Sequence, residues 1–208
     1  MLAIIDYGSG NLRSVAKALE RVSEGNISVQ ITKNADDLKK ASHIILPGVG
    51  AFADCMNGLK ALPDMIDVIQ EEVHTRGKWF LGICVGMQML FERGYEHGVH
   101  TGLGWLKGEV KPLAPRNALL KVPHMGWNEL KFSVSHPLFH NIKNGDHAYF
   151  VHSYHALAAR GSDVIATTEY GETITAAVAH GHIMGTQFHP EKSQQAGLTL
   201  LQNFMNMR

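Results

Sequence analysis

Short apolar runs alternate with segments of helical periodicity along the first half of the chain. The runs predict β-strands and the periodic segments predict helices; in the first helix, Leu12, Val15 and Leu19 share one face. Strands are predicted at residues 2–6, 28–31, 43–46 and 78–83, and helices at 11–22, 36–40, 52–62 and 63–76. Strands that alternate with helices are typical of a parallel sheet covered by helices on both faces.

The second half of the chain has a different pattern. Residues 105–175 are richer in Gly, Pro, Thr, Val and Tyr and contain short strand-like pieces, which predict an antiparallel addition. The chain then returns for a predicted strand at 183–188 and a closing helix at 195–207. Because no repeat, low-complexity tract or linker is visible, we predict one α/β domain, residues 1–208, with a mostly parallel sheet flanked by helices.

Composition narrows the class of protein. A chain of 208 residues can bury one substantial core. The chain has 19 basic residues (Lys and Arg) and 19 acidic residues (Asp and Glu), so its net charge predicts no nucleic-acid partner. Net charge does not exclude a local basic patch. Two cysteines make no disulfide framework and fit a reducing compartment. With no visible secretory signal and no membrane-length apolar window, we expect a soluble, cytoplasmic protein without a membrane partner.

The segment 79–88, Trp-Phe-Leu-Gly-Ile-Cys-Val-Gly-Met-Gln, places Cys84 at the end of a predicted buried strand. Gly82 and Gly86 flank the cysteine at a spacing of two, the pattern of a sharp strand-to-helix turn that carries a nucleophile. A β-carbon at either glycine would crowd such a turn. We therefore predict a thiolate nucleophile, favoured by the N–H groups and dipole of the following helix. A buried cysteine that packs like a small apolar side chain is the alternative.

Two further segments carry groups that such a nucleophile needs. His189 and Glu191 lie two residues apart, so in extended backbone their side chains point the same way. The imidazole could take the thiol proton while the carboxylate orients the ring. The predicted strand 43–46 runs into Pro47-Gly48-Val49-Gly50, whose backbone N–H groups could stabilise an oxyanion. A structural histidine, a solvated glutamate and an ordinary glycine loop are the alternatives, because the sequence alone does not bring these segments together.

Together these three motifs resemble those of the class I, or triad, glutamine amidotransferases. Within that family, the resemblance is to the glutaminase subunits of imidazole glycerol phosphate synthases, and it spans essentially the whole chain. It rests on the segments Asp6-Tyr7-Gly8-Ser9-Gly10-Asn11-Leu12, Pro47-Gly48-Val49-Gly50, Pro123-His124-Met125-Gly126-Trp127-Asn128, Tyr149-Phe150-Val151-His152-Ser153-Tyr154 and His189-Pro190-Glu191-Lys192-Ser193. Val85, where many relatives carry leucine, is a mild departure that leaves the backbone donor intact.

The resemblance implies a flavodoxin-like glutaminase fold and a reaction. Glutamine would be hydrolysed to glutamate and ammonia through a Cys84 thioester, with His189 as the base and Glu191 as its orienting partner. Backbone N–H groups of Val49 and Val85 would stabilise the oxyanion. Residues that would hold glutamine are Gly48, Gly50, Gln88, Glu96, Ser153 and Tyr154. A surface position is the alternative for Glu96, because no motif fixes the register around it.

The resemblance also implies a partner. In that family, ammonia passes to a (β/α)8-barrel cyclase that makes imidazole glycerol phosphate and aminoimidazole carboxamide ribotide in histidine biosynthesis. A heterodimer with such a cyclase is therefore expected, with His124, Met125, Trp127 and Asn128 at the interface. Trp and Met are enriched at interface cores, although a core tryptophan is the alternative.

Other functions are compatible with parts of the sequence. A glutaminase of another synthase and a free-standing cysteine hydrolase fit the triad, but the block at 123–128 argues against both. A non-catalytic binding subunit of the same fold is disfavoured because Cys84, His189 and Glu191 are all present. No cofactor and no metal are expected, since the histidines at 136, 140, 147, 152 and 155 match no zinc pattern with partner cysteines.

Overall fold

The computed structural model describes residues 1–23, 25–117 and 119–208. Its strands are β1 (Leu2–Ile5), β2 (Val29–Thr32), β3 (His43–Gly48), β4 (Trp79–Cys84), β5 (Phe91–Gly94), β6 (His100–Thr101), β7 (Leu106–Pro112), β8 (His124–Glu129), β9 (Lys131–Phe132), β10 (His147–His152), β11 (Tyr154–Ala158), β12 (Val164–Glu169), β13 (Thr173–His180) and β14 (Ile183–Thr186). Its α-helices are α1 (Leu12–Ser23), α2 (Ala35–Lys40), α3 (Phe52–Lys60), α4 (Met65–Gln70), α5 (Val85–Gln88) and α6 (Gln194–Met205), and a π-helix at Glu71–Thr75 continues α4.

The main sheet has the strand order β2-β1-β3-β4-β14-β13-β12-β9. Its first five strands are parallel neighbours, whereas β13, β12 and β9 add antiparallel pairs. Helices α1 and α6 pack together, as do α2, α3 and α4. These features confirm the predicted α/β fold with a largely parallel sheet flanked by helices and an antiparallel addition.

Two smaller sheets complete the second half. Strands β8 and β10 form an antiparallel pair, and the other sheet has the order β11-β7-β5-β6. The pairing of β5 with β7 is parallel, an exception to the antiparallel pattern expected there. Among the helices of the described residues, none is both long and apolar enough to cross a membrane.

Several helices and strands begin or end at residues other than those predicted from the sequence. Strand β3 continues through Gly48, because its parallel register with β4 holds to that residue. Helix α4 begins at Met65 instead of residue 63, because Asp64 adopts a left-handed conformation with φ 57°. The strand predicted at 183–188 ends at Thr186; beyond it, the Gln187 N–H still donates to Ala176 of β13, whereas the His189 N–H donates to Tyr149 of β10. Helix α5 has only four residues before the chain turns towards β5.

Candidate active site

Cys84 lies at a strained turn between β4 and α5. Its backbone has φ 54° and ψ −113°, a conformation that a residue with a β-carbon rarely adopts. A β-carbon at Gly82 would lie 2.5 Å from the Gly86 carbonyl oxygen, and one at Gly86 would collide with the Leu46 carbonyl oxygen. The two glycines therefore let β3, β4 and α5 approach closely enough to hold this turn.

The short α5 changes one sequence expectation. Peptide dipoles add along a helix, so four residues sum to little, and the expected dipole contribution to a Cys84 thiolate is small. Val85 is the first residue of this helix, so its N–H lacks an intrahelical partner. The immediate surroundings of the sulfur must therefore supply most of its stabilisation.

The register of the sheet brings the predicted segments to one edge. Strands β3, β4 and β14 are parallel neighbours, so their carboxyl ends lie side by side. Gly48 is paired with Cys84, and Ile83 with Thr186. The turn after Gly48, the cysteine and the segment leading to His189 therefore all begin at this edge, where parallel sheets commonly form sites.

His189 and Glu191 form a buried pair. Nδ1 of His189 lies 2.9 Å from Oε1 of Glu191, and the side chains are 1% and 0% exposed. Because a carboxylate accepts hydrogen bonds, Nδ1 carries the proton in this contact. The other nitrogen, Nε2, is buried without a hydrogen bond of good geometry to the described residues, which leaves it for proton exchange in the site. Asn11 Nδ2 also approaches Glu191 Oε1, at 3.4 Å.

The charge state of His189 follows from these neighbours. Burial disfavours the imidazolium and by itself lowers the pKa. Interactions with Cys84 and Glu191 outweigh burial and raise the pKa of His189 to about 9. The ring is therefore cationic at neutral pH, an arrangement that favours a thiolate on the neighbouring Cys84.

A cavity of about 430 Å³ has Cys84 and His189 in its wall. It is also lined by seven of the eight positions predicted to bind substrate or oxyanion: Val49, Gly50, Val85, Gln88, Glu96, Ser153 and Tyr154. A larger hollow of about 810 Å³ lies along residues 132–144 and contains no member of the triad. The smaller cavity is the candidate active site because Cys84 and His189 line it.

Gly48 and Glu96 have roles that their sequence context did not reveal. Gly48 is not among the residues that line the cavity. A β-carbon there would lie 2.6 Å from the Gly86 backbone nitrogen, so the absence of a side chain lets β3 pack closely against the turn at Cys84. Glu96 lines the cavity, and its Oε2 accepts a 2.8 Å hydrogen bond from the Phe52 N–H at the start of α3. That bond fixes a register that no motif specified.

The turn predicted to stabilise an oxyanion has Val49 at its centre. The Val49 N–H donates to Ser9 Oγ at 3.3 Å, and the Ser9 hydroxyl donates to the Val49 carbonyl oxygen. Cys55 Sγ also contacts that carbonyl oxygen, at 3.4 Å. Gly50 follows with φ 94°, a conformation suited to glycine. The Val49 N–H is thus engaged by Ser9 instead of being aimed at a substrate oxygen.

Comparisons with known proteins place the chain in a family. A family model described as "Glutamine amidotransferase class-I" matches residues 3–207. The chain is 51% identical to imidazole glycerol phosphate synthase subunit HisH of Brucella abortus (strain 2308), over 100% of this chain and 99% of that protein. It belongs to the HisH family of class I glutamine amidotransferases.

Other relatives agree with that membership. The HisH subunit of Zymomonas mobilis subsp. mobilis is 51% identical over 99% of this chain and 95% of that protein. A crystal structure of a glutamine amidotransferase matches with a TM-score of 0.71 at 19% identity, covering 94% of each chain. At 19% identity, this structural match shows similarity of the fold alone.

Two neutral, hydrogen-bonded histidines, His152 in the cavity wall and His124 next to it, were not predicted as such from the sequence. His152 Nδ1 lies 2.9 Å from the Tyr154 carbonyl oxygen, so that nitrogen donates and Nε2 accepts. His124 Nδ1, 3.0 Å away, donates to His152 Nε2, and Asn128 Nδ2 donates to His124 Nε2 at 3.2 Å. Burial lowers the pKa of His124 to about 4 and that of His152 to about 3.

The four predicted interface residues of this HisH-family chain do not share one face. Met125 and Trp127 are 62% and 45% exposed, whereas His124 is buried and Asn128 is half-buried. Strand alternation separates the two pairs, because successive side chains of β8 point to opposite sides. The prediction is therefore corrected for His124, whose ring lies inside the molecule. No metal-binding group of three or more His, Cys, Asp or Glu occurs within the described residues.

Proposed function

We propose that this chain hydrolyses glutamine at the cavity of Cys84 and His189. The Cys84 thiolate attacks the side-chain carboxamide carbon, and the carbonyl electron pair moves to oxygen. When the tetrahedral intermediate collapses, the C–N bond breaks and His189 gives its proton to the departing nitrogen, so ammonia leaves and a thioester remains. Glu191 holds the ring in the orientation required for this transfer.

Water then releases glutamate. His189, now neutral, takes a proton from water as the oxygen attacks the thioester carbon, and the C–S bond breaks with its electron pair on Cys84 Sγ. The products are glutamate, a thiolate and a reprotonated His189, so the site returns to its starting state. Gln88, Glu96, Ser153 and Tyr154 are proposed to hold the substrate from the cavity wall.

The observation that carries this proposal is the placement of Cys84 and the buried His189–Glu191 pair on one cavity. Its test is Cys84→Ala in the presence of a cyclase subunit, with glutamate release as the measurement. We expect hydrolysis to be lost while folding and partner binding remain. A glutamine-like electrophile should label Cys84 and spare Cys55, which is buried inside α3 and serves as an internal control. Appreciable hydrolysis by Cys84→Ala would refute the proposal.

We also propose that the ammonia is delivered to a (β/α)8-barrel cyclase subunit, forming imidazole glycerol phosphate and aminoimidazole carboxamide ribotide for histidine biosynthesis. The names of the HisH relatives support a synthase with more than one subunit. Ammonia that escapes to water becomes protonated and is no longer a nucleophile, so hydrolysis is useful only against a docked acceptor. The exposed Met125 and Trp127 are the proposed docking residues.

Docking is proposed to switch the oxyanion turn. With the Val49 N–H held by Ser9, the lone chain lacks one oxyanion donor, whose absence costs about 3 kcal/mol of barrier, roughly a hundredfold in rate. The ribotide-loaded partner would favour the alternative peptide orientation, which Gly50 permits. Hydrolysis should therefore be slow in the lone chain and rise by orders of magnitude in the loaded complex; equal rates would contradict the switch.

A further inference from the structure

Gln187 lies against the sulfur of the nucleophile. Its side chain is completely buried at the end of β14, and its Nε2 is 3.7 Å from Cys84 Sγ. Its Oε1 lies 3.0 Å from Nε2 of Gln88, a residue of the cavity wall. The backbone is fixed as well, because the Gln187 N–H donates to the Ala176 carbonyl oxygen at 2.8 Å.

The orientation of the Gln187 amide follows from its neighbours. Gln88 Nε2 lies 2.8 Å from the Tyr154 carbonyl oxygen, which can only accept, so this end of Gln88 is the donor. It therefore needs an acceptor on Gln187, and Oε1 of Gln187 must face it. The NH2 group of Gln187 is consequently left pointing at Cys84 Sγ; the flipped amide would set two NH2 groups against each other and a lone pair against the sulfur.

We propose that Gln187 is a fourth catalytic residue, one that donates an amide N–H to the Cys84 thiolate and holds the sulfur towards the cavity. This inference rests on the proposed glutamine hydrolysis. The amide N–H of Gln187 supplies stabilisation of the Cys84 sulfur that the four-residue α5 cannot. The carbonyl oxygen of Val151, 3.9 Å from the sulfur, can accept only from a neutral thiol, so Gln187 favours the ionised form against that contact.

The role is distinct from that of His189. His189 loses its proton when ammonia leaves and regains one during thioester hydrolysis, so its charge changes within each turnover. An amide keeps its N–H throughout. Gln187 is thus a donor to sulfur both when the thiolate attacks and when the C–S bond breaks and the electron pair returns to Sγ.

The test compares Gln187→Met with Thr186→Val in the full chain. Methionine keeps the volume without the donor; Thr186 is a matched control, since it is the preceding residue, is also fully buried, and its Oγ1 donates to the Phe188 carbonyl oxygen. The measurement is the rate at which iodoacetamide alkylates Cys84 as a function of pH. We expect Gln187→Met to react about tenfold more slowly at pH 7, because a hydrogen bond to a charged group is worth at least that factor. The pH of half-maximal reaction should rise, while Thr186→Val should match the wild type.

A second measurement avoids any change at Gln187. The side-chain amide protons of Gln187, observed by NMR, should shift when Cys84 of the wild-type chain is alkylated. Unchanged alkylation in a folded Gln187→Met, or unmoved amide resonances, would overturn the inference. The proposed function fails separately, if the wild-type chain neither hydrolyses glutamine with its partner nor reacts selectively at Cys84.

Discussion

The imidazole of His189 is buried, with its Nδ1 on the Glu191 carboxylate and Cys84 nearby in the same cavity. Because Cys84 and Glu191 together raise its pKa to about 9, the ring is charged through neutral pH and loses its proton only in alkali. The kcat/KM for glutamine, measured with a saturating cyclase, should therefore decline above about pH 9.

Glu191→Gln tests the cause of that decline. The amide keeps the shape of the side chain but removes its charge, so the pKa of His189 should fall and the alkaline limb should move to lower pH. We expect a smaller loss of rate than from Cys84→Ala or His189→Asn, because an orienting group acts through another residue. A pH–rate profile with an unmoved limb would mean that Glu191 does not set the ionisation of His189.

Gly86 allows a prediction about stability. Gly86→Ala would drive a β-carbon into the Leu46 carbonyl oxygen, and backbone cannot move as a side chain does. We expect the free energy of unfolding to fall by about 3 kcal/mol or more. Gly161→Ala is the matched control, since a β-carbon there meets nothing within 4 Å, and it should stay within about 0.5 kcal/mol. Urea denaturation of both variants decides the matter.

The residues of the site differ in how far the sequence could predict them. Cys84, His189 and Glu191 were predicted because each belongs to a short pattern, but the extended backbone assumed for the last two is wrong, since Pro190–Lys192 form a 3-10 helix. Gln187 stands beside one of these patterns, yet its role depends on how Gln88, 99 positions away, orients its amide. No spacing along the chain contains that information.

The strand pair β8–β10 carries the two neutral histidines, His124 and His152. Their pKa values in the folded chain, about 4 and about 3, lie below the unfolded value of 6.5, so the unfolded state binds more protons between these limits. Stability is therefore full above pH 6.5 and falls as the pH drops, by up to about 1.4 kcal/mol per histidine per pH unit.

Urea unfolding between pH 7 and pH 4.5 tests this dependence. His152→Asn removes one titrating group while its amide can still reach the Tyr154 carbonyl oxygen, and it should flatten the curve. His147→Gln, exposed on the same strand, should leave the slope as in the wild type. Equal slopes in all three proteins would show that these buried histidines do not govern acid stability.

Helices and strands were predicted best where the periodicity of apolar residues is sufficient to identify them. The alternation of strands and helices in the first half, and the change to antiparallel pairing in the second, are both present in the structure. The length of α5 and the start of α4 were not predicted, because they depend on tertiary hydrogen bonds and on one left-handed residue, Asp64. The interface position expected for His124 does not fit its buried ring, although the alternation within 124–129 contained that signal.

The proposed partner surface can be tested through its two exposed side chains, Trp127 and Met125. Trp127→Ala and Met125→Ala should each weaken binding of the cyclase, by about tenfold or more for a central anchor, without a change in melting temperature. Leu157→Ala is the control, since Leu157 is 43% exposed but lies on β11 in a different sheet. Calorimetric titration gives the affinities; wild-type binding by both variants would place the docking surface elsewhere.

The position of β14 has a consequence for synthesis on the ribosome. This strand is the last of the main sheet in sequence yet lies at its centre, between β4 and β13. Cys84 is therefore translated 105 positions before His189, roughly 5 to 20 seconds earlier at ordinary rates of elongation. Throughout that interval the nascent chain has the nucleophile and the neighbouring strand β3, but it lacks both β14 and the base His189, so a chain that stops before residue 189 cannot complete the reaction.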